Sequence, residues 1–494
     1  MDGPEAVARL RRAIAAREPV LIFSDSDVDG MTASVIVYEV LRELGGLVRA
    51  TQSNRIADGY GVPDAFIQEV CRSSAKVVML VDCGTNQAEA VRLLNEHGIE
   101  TIIVDHHVPL EGWAQPMALI NPHRDRAFLS AQGLSSAGLA LKLAQGLFGE
   151  EAEERVEPYL DLAALGTLAD CSPLLGDNRA IVVSGLARLL HSDRRGLRRL
   201  CDATDTREPI PEQILRRLVP RLNASGRLGR CDAVWHLLQR GAPQQLETWM
   251  DAAGTAHDTT KQLHRQTLAQ AEEQISRMHF RDQYVMVISR NDWHQGVMGP
   301  LASQLAERYG RPAIAIAMQE HHGVGSGRSI PMFNLLEALR VCQDLLVRFG
   351  GHAQACGLTV NRANLEPLHA LLNQRAAAAF RNETLTKTRL IDLELSLEEI
   401  EPRWVEELDG FAPFGQGNPR PTVLVRGATF KSISPRVGIM RDGARTARVK
   451  GWLPLLEEGK RYDVVVTPTL TDGELVLTLA DAKDSGELSA RGRI

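Results

Sequence analysis

Residues 21–32 read Leu-Ile-Phe-Ser-Asp-Ser-Asp-Val-Asp-Gly-Met-Thr, and this stretch decides the fold. A short apolar run ends in Asp25, Asp27 and Asp29, and a helix-like segment over residues 32–44 follows the glycine. A buried strand of this kind delivers polar residues to the carboxyl edge of an α/β sheet, where such sheets bind ligands. Three neighbouring carboxylates raise one another's pKa unless a cation neutralises them. The triplet alone is as typical of a solvated acidic turn as of a metal site.

Two later apolar runs end in the same way. Residues 76–81 lead into Asp82, and residues 100–104 lead into Asp105-His106-His107. Helix-like segments separate the runs, and this alternation predicts a parallel sheet with helices on both faces. Unrelated solvated turns would rarely all place metal-type ligands at the same edge of one sheet, so the regularity favours a binding site.

Asp170 closes a further apolar stretch, which follows a helix-like run over residues 159–166. The combined set contains carboxylates and imidazole but no pair of thiolates. Such ligands suit Mn²⁺ or Mg²⁺ in a two-metal site better than structural zinc. Two metals that share carboxylates are a standard means of activating water for attack on phosphorus. For His107 two interpretations stay open, a packed core histidine and a contact to the scissile phosphate.

The length and composition limit the class of protein. A chain of 494 residues predicts two to four domains, and 44% apolar with 24% charged residues is ordinary for a globular protein. No apolar run approaches the ~20 residues that span a bilayer, and the acidic N-terminus is unlike a signal peptide. Seven scattered cysteines without a Cys-x-x-Cys pair argue against disulfides and structural zinc. We therefore expect a cytoplasmic protein without membrane contact.

Neither the net charge nor the arginine clusters decide whether the chain binds nucleic acid. The net charge of −6 does not indicate a nucleic-acid binder, but local patches matter more than net charge in a large enzyme. Arginines cluster over residues 194–199 and 216–230. A solvated helix face explains both clusters equally well.

The four acidic elements resemble the motifs of the DHH phosphoesterase superfamily, in which the triplet found here at Asp105-His106-His107 gives the name. Small-substrate members often carry a histidine at the position of Phe23, whereas Asp-Ser-Asp-Val-Asp-Gly over residues 25–30 resembles the RecJ branch. Further segments are similar to RecJ motifs: Arg55 with Gly59-Tyr60-Gly61, residues 164–170, 220–227, 293–299 and 325–329, the Gly350-Gly351-His352 signature of a DHH-associated domain, and residues 411–419 before an OB-fold region.

This resemblance implies an α/β fold with four parts. They are a parallel-sheet DHH catalytic domain over residues 1–231, a connecting helix over 232–281, a second α/β DHH-associated domain over 282–388 and a C-terminal OB-type β-barrel over 389–494. Phe430, Trp452 and Tyr462 are the main candidates for stacking bases on the barrel. Cys83 stands where RecJ usually has asparagine, and Cys356 stands where alanine is usual. We expect both differences to modify the site without abolishing its function. We also expect the chain to lack the extra C-terminal domain of some longer RecJ proteins.

The resemblance further implies a single-strand-specific DNA exonuclease of 5′ to 3′ polarity that releases 5′-mononucleotides in recombination and repair. Single-stranded DNA is then the substrate, single-strand-binding protein and a helicase are candidate partners, and a monomer is expected. Two alternatives stay open. A phosphodiesterase of short RNA or cyclic dinucleotides is disfavoured by Phe23 and the OB region, and a non-catalytic DNA-binding or scaffold protein is disfavoured by the full ligand set.

By match to the family motifs, two Mn²⁺ ions, or Mg²⁺, would be held by six residues: Asp25, Asp27, Asp29, Asp82, His106 and Asp170. Asp82, His106, His107 and Asp170 would be catalytic, with His107 on the scissile phosphate. Candidates for gripping the substrate are Arg55, Arg221 or Arg227, Asn223, Ser326, Arg328 and His352. Guanidinium groups suit phosphate because they form bidentate, charge-assisted hydrogen bonds.

Overall fold

The computed structural model describes residues 2–59, 61–124, 133–241, 245–278, 283–380, 390–454, 456–471 and 473–485, so Tyr60 lies outside the described residues. The chain divides into two compact units, Met1–Thr386 and Lys387–Ile494. None of the described helices combines the length and the apolarity that crossing a lipid bilayer requires. All seven cysteines belong to the described residues and are free thiols.

The first lobe of the larger unit is built on a five-stranded parallel sheet, as predicted. Its spatial strand order is β2-β1-β3-β4-β5, and β3 is buried along its whole length, as strands covered on both faces are. The strands are β1 (Pro19–Ser24), β2 (Leu47–Gln52), β3 (Val77–Val81), β4 (Glu100–Val104) and β5 (Ala118–Ile120). The sequence patterns predicted β1, β3 and β4, whereas β2 and β5 come in addition.

Helices cover both faces of this sheet. Leu10 and Met31 pack with Met79 on one face, and Phe66 and Val91 pack with Leu80 on the other. The helices of the lobe are α1 (Gly3–Ala15), α2 (Val28–Glu43), α3 (Asp64–Arg72), α4 (Ala88–Glu96), α5 (Ser136–Phe148), α6 (Ala152–Arg155), α7 (Leu160–Ala169), α8 (Gly176–Leu189), α9 (Arg195–Ala203), α10 (Pro211–Gln213) with a π-helical turn at Ile214–Leu218, α11 (Val219–Arg227) and α12 (Asp232–Leu237).

The helical pattern over residues 232–281 is divided between two helices. After α12 the chain passes through Gly241, whose φ of 93° lies in the left-handed region that a helix cannot continue through. The long helix α13 (Leu246–Ser276) then runs to the second lobe. Its residues Ala271 and Ile275 are buried against that lobe.

The second lobe is a mixed sheet with the strand order β6-β7-β8-β10-β9. The glycine-rich segment 323–328 lies within a strand. Side chains at Gly323, Gly325 and Gly327 would collide with Met318, Ile316 and Leu335, so glycine allows close packing there. The elements are β6 (Met286–Arg290), α14 (Met298–Tyr309), β7 (Ala313–Met318), β8 (His322–Arg328), α15 (Leu335–Val341), β9 (Leu346–Gly351), β10 (Ala355–Asn361) and α16 (Leu365–Ala379).

The smaller unit contains a five-stranded barrel with both antiparallel and parallel pairs. It closes because β12 pairs with β13 on one side and with β15 on the other, which confirms the predicted barrel. Val425, Met440 and Leu477 belong to its core. The elements are β11 (Leu393–Glu394), α17 (Pro402–Asp409), β12 (Val423–Ser434), β13 (Val437–Asp442), β14 (Arg445–Lys450), β15 (Tyr462–Thr471) and β16 (Glu474–Asp484).

Candidate metal centre and anion cavity

The strand register brings the acidic residues of the first lobe to one edge of the sheet. Ser24 pairs with Val81, and Val81 pairs with Val104. The next residues, Asp25, Asp82 and Asp105, therefore stand side by side, and the backbone N–H of Asp82 donates to the carbonyl of Val104 over 2.9 Å.

The three alternating aspartates have different local partners. Asp27 is the N-cap of α2, where its Oδ1 accepts the backbone N–H of Gly30 over 3.1 Å. Asp25 accepts the hydroxyl of Ser53 over 2.9 Å and the Nε of Arg55 over 2.6 Å. Arg55 also donates to Asp27 over 2.8 Å, so one guanidinium bridges two of the three carboxylates.

Asp29 is the buried member of the triplet and is 3% exposed. It accepts the backbone N–H groups at the start of α5, from Ser136 over 2.8 Å and Ala137 over 2.9 Å. Burial and the nearby charge of Asp170 raise the pKa of Asp29 to about 7. A side chain at Gly166 would lie 2.7 Å from the Asp29 carboxylate, so glycine leaves room for this acid.

Asp82 follows β3 with a left-handed φ of 59°, a conformation that is uncommon for residues other than glycine. Ser136 donates its hydroxyl to Asp82 over 2.8 Å. Burial, together with the charges of Asp27 and Asp29, raises the pKa of Asp82 well above its usual range. Ionised carboxylates this close together repel one another, and a bound cation would remove that repulsion.

His106 lies among the carboxylates. Its Nε2 is 3.4 Å from Asp82, 3.7 Å from Asp170 and 3.9 Å from Asp29. Burial alone would lower the pKa of His106, but these three acids outweigh burial and raise it well above its usual range. Asp170 itself caps the C-terminus of α7 and accepts the hydroxyl of Ser172 over 2.6 Å.

His107 is held differently, by Asp105. Its Nδ1 is 2.7 Å from the buried Asp105 carboxylate. Its Nε2 is therefore available to bind a ligand. Burial would lower the pKa of His107, but Asp105 raises it to about 9. Its ring stacks on His352 of the second lobe, with 5.6 Å between ring centroids.

Three groups of side chains at this edge could hold a metal ion, each with ligand atoms within 4.8 Å of one another. Asp82 and His106 each belong to two groups, so neighbouring cations would share ligands, as in two-metal sites. The donor set of carboxylates and imidazole, with its raised carboxylate pKa values, fits Mn²⁺ or Mg²⁺. The groups are Asp82 with His106 and His107, Asp29 with His106 and Asp170, and Asp25 with Asp27 and Asp82.

A cavity of about 240 Å³ lies beside these carboxylates, between the two lobes. Three arginines line it, and burial together with the charges of Arg55 and Arg328 lowers the pKa of Arg227. Such crowding of cations favours an anion. The lining includes Asp27, Arg55, Ile56, Asn223, Arg227, Gln295, Gly296, Ser326 and Arg328, and we call this space the anion cavity.

The predicted substrate residues do not all reach the anion cavity. Arg328 donates to the Ser326 hydroxyl over 3.2 Å, so the two form a polar pair in it. Asn223 lines it too, and also accepts the backbone N–H of Val28 over 3.1 Å. Arg221, in contrast, lies against Gly254 of α13 and donates to the carbonyl of Ala203. Of the alternatives Arg221 and Arg227, the structure brings Arg227 into the cavity.

The barrel and the two unusual cysteines also have defined environments. Phe430 and Tyr462 are buried in the barrel core, whereas Trp452 is 60% exposed, so Trp452 is the accessible aromatic of the three candidates. Cys356 donates to the carbonyl of His352 over 3.1 Å. Cys83 packs partly buried with the helices of the first lobe.

Three family models match the chain in the expected order. The N-terminal domain of the DHH family matches residues 19–167, the DHHA1 domain matches 282–378 and the RecJ OB domain matches 391–440. These matches agree with the parallel sheet, the second sheet and the barrel described above.

Proteins named single-stranded-DNA-specific exonuclease RecJ are similar along most of the chain. The Bacillus subtilis protein is 32% identical over 93% of this chain and 58% of its own length. The Dickeya dadantii protein is 30% identical over 85% of this chain and 77% of its own length. The chain belongs to the RecJ family. It spans less than two thirds of the Bacillus relative.

A solved RecJ structure has the same fold. The crystal structure of RecJ from Thermus thermophilus in complex with Mn²⁺ superposes with a TM-score of 0.84 and 27% identity, and the match covers 98% of this chain and 72% of the Thermus chain. The RecJ fold therefore extends over both units of this chain.

Two residues that the structure places at this site were not predicted from the sequence. Ser136 contacts both Asp29 and Asp82, and Gln295 donates its side chain to the carbonyl of Ile56 over 2.8 Å. The serine pair before the apolar run of α5 is a helix-start signal that could have pointed to Ser136. Gln295 lies within the segment 293–299 that carried the resemblance, but its partner is in the other lobe and leaves no local signal.

Proposed function

We propose that this chain is a metal-dependent exonuclease that degrades single-stranded DNA from the 5′ end and releases 5′-mononucleotides. One observation carries the proposal: Asp27 and Arg55 belong both to the acidic edge and to the lining of the anion cavity. A phosphate bound by the arginines would then lie next to the carboxylates. We infer single-stranded DNA as the substrate because the relatives are named single-stranded-DNA-specific exonucleases.

Six residues would hold two Mn²⁺ or Mg²⁺ ions: Asp25, Asp27, Asp29, Asp82, His106 and Asp170. When bound, such ions supply activation of water and neutralisation of the charge on the leaving oxygen. The carboxylates Asp29 and Asp82 fit this role because burial and mutual repulsion raise their pKa values. The presence of Mn²⁺ in the Thermus RecJ complex supports manganese as the first ion to test.

His107 would contact the scissile phosphate. Asp105 orients the ring at Nδ1 and raises the pKa of His107 to about 9, and a protonated imidazole would offer its other N–H to a phosphate oxygen. Its 39% exposure leaves the ring accessible to substrate.

Arg328, Ser326 and Arg227 would grip the 5′-terminal phosphate in the anion cavity, with Arg55 shared between phosphate and carboxylates. Charge-assisted hydrogen bonds of guanidinium to phosphate favour this arrangement. We further propose that the strand enters between the two lobes past His352, in a passage that duplex DNA does not enter.

We propose the predicted division for the whole chain: catalytic domain 1–231, connecting helical segment 232–281, DHH-associated domain 282–388 and nucleic-acid-binding barrel 389–494. The protein would act as a cytoplasmic monomer in recombination and repair, with single-strand-binding protein and a helicase as partners.

A single-stranded DNA oligonucleotide labelled at either end, incubated with Mn²⁺, tests the activity. Wild type should release a labelled mononucleotide from the 5′ end, and His106→Ala should release none. Release from the 3′ end would overturn the polarity. Digestion restricted to very short RNA or a cyclic dinucleotide would indicate the small-substrate phosphodiesterase, and binding without hydrolysis would indicate the scaffold alternative. Equal digestion of blunt duplex would contradict the narrow passage.

A further inference from the structure

The arginine cluster at residues 194–199 forms part of a second cavity, outside the catalytic site. Arg194 itself is buried and bonds Glu39 and Asp161, so it stabilises the fold. The exposed arginines of α9 instead line a cavity of about 450 Å³ against the start of α13. Its lining includes Arg195, Arg198, Arg199 and Arg207 over a floor of Leu190, Cys201 and Leu246, and we call it the α9 cavity.

The cations of the α9 cavity are only partly balanced. Arg199 pairs with Glu247 over 3.1 Å, and Arg207 pairs with Asp205 over 2.6 Å. The side chains of Arg195 and Arg198 make no ion pair or hydrogen bond with any residue that the structure describes, although Asp202 also lines the cavity. Arg195, Arg198 and Arg199 are spaced three and four residues apart, so they crowd one helix face, and like charges at this spacing destabilise a helix. A bound anion would remove this repulsion.

We infer that the α9 cavity is a binding site for a phosphate-bearing ligand, separate from the catalytic anion cavity. Guanidinium groups match phosphate oxygens in bidentate geometry, and about 450 Å³ lies in the range of small-molecule pockets. None of the described residues that line the cavity has an aromatic side chain for base stacking.

The α9 cavity is distant from the catalytic edge. The N-cap of α9, Arg194, bonds Glu39, which lies ten residues after Asp29 on the same helix α2. At 1.5 Å per residue this separation is about 15 Å. The ligand would therefore be an effector, or a part of the strand beyond the reacting end, and it would not be the scissile phosphate.

Binding can be measured without nuclease activity, in EDTA, so the outcome does not depend on the proposed function. The probes are inorganic pyrophosphate, ADP and an oligo(dT) strand, and isothermal titration compares wild type with Arg195→Gln/Arg198→Gln. Both proteins keep the catalytic anion cavity, so the difference between them isolates the α9 cavity. A matched control is Arg92→Gln/Arg277→Gln, which removes two exposed arginines elsewhere.

We expect the cavity variant to bind at least one phosphate probe ten-fold or more weakly, with the control unchanged. Binding of pyrophosphate or ADP would identify a free phosphate ligand, and binding of oligo(dT) alone would identify the nucleic-acid backbone. Equal affinity of wild type and cavity variant for all three probes would overturn the site. Poly-glutamate, an acidic peptide, is titrated in the same way. If the cavity variant binds poly-glutamate more weakly than wild type does but binds every phosphate probe equally well, the assigned ligand class is wrong.

Discussion

The ring of His352 lies face to face with the ring of His107, with 5.6 Å between centroids and 9° between planes. The two residues come from different lobes. Burial and the charge of His107 lower the pKa of His352 to about 4, so a neutral ring supports a protonated one, and a cation on an aromatic face is a favourable contact.

We expect His352→Ala to lower kcat/KM on single-stranded DNA about ten-fold. The loss of the stacking contact that positions His107 would raise the activation free energy by about 1.4 kcal/mol. Steady-state kinetics with a 5′-labelled strand measures this. His352→Phe keeps a stacking ring and should retain most of the activity. Equal loss in the alanine and phenylalanine variants would contradict support by stacking.

Gln295 should act through Arg55. Its side chain donates to the carbonyl of Ile56, the residue after Arg55, and so ties the second lobe to the loop that carries the guanidinium. We expect Gln295→Ala to raise KM for a 5′-phosphorylated strand about five-fold. In an Arg55→Ala background the same substitution should change KM little, because contacting residues are not additive. Additive effects in this double-mutant cycle would refute the coupling.

Arg328 and Arg221 should differ in their effect on the terminal phosphate. Arg328 lines the anion cavity, whereas Arg221 lies against α13. We expect Arg328→Gln to raise KM for a 5′-phosphorylated strand on the order of ten-fold, as loss of one charge-assisted hydrogen bond predicts. Arg221→Gln serves as the comparison and should leave the preference for a 5′-phosphate over a 5′-hydroxyl intact. A reversed order of the two variants would move the phosphate site to α13.

Asp82 should be required for metal binding, because it belongs to two of the three ligand groups. Asp82→Ala is expected to lose most of the manganese that wild type retains after desalting, as determined by elemental analysis. Asp251→Ala, an exposed aspartate on α13, is the matched control and should retain wild-type manganese. The same metal content in all three proteins would argue against the centre.

Asp463 should give the barrel a pH-dependent stability. It accepts the N–H of Gly427, the hydroxyl of Ser485 and the guanidinium of Arg426. Although burial acts in the opposite direction, these donors lower the pKa of Asp463 below its usual 3.8. The stabilisation is therefore complete above about pH 4 and is lost as the pH falls through the folded-state pKa.

Asp463→Asn should lower the free energy of unfolding at pH 7 by about 2 kcal/mol. Differential scanning calorimetry of the whole chain at several pH values measures the effect, and the difference from wild type should narrow below about pH 4. Glu474→Gln, an exposed acid on β16, should change little. A difference that stays constant down to about pH 2 would rule out the charge of Asp463 as its source.

The acidic edge was predictable because it follows from strand geometry alone. Each apolar run ends where a polar cluster begins, and parallel strands place these ends at one sheet edge. The local sequence pattern therefore predicts that Asp25, Asp82 and His106 lie close together. The choice between Arg221 and Arg227 was not predictable, since both lie on α11 and only packing against the second lobe separates them.

The aromatic residues of the barrel show the same limit. Phe430, Trp452 and Tyr462 were equal candidates in the sequence, yet barrel closure buries the first and the last. Which side of a strand faces the core depends on pairing register between distant segments, and no single strand carries that information.

The sequence by itself determined the parallel sheet, the metal-type ligands at its edge and the order of the family motifs, because strand and helix periodicity and motif spacing are local. Only the tertiary structure decided that Ser136 supports Asp29 and Asp82, that Arg55 joins the carboxylates to the anion cavity, and that His352 stacks on His107. These contacts join residues far apart in the chain, and their distances are fixed by how the helices and the two lobes pack.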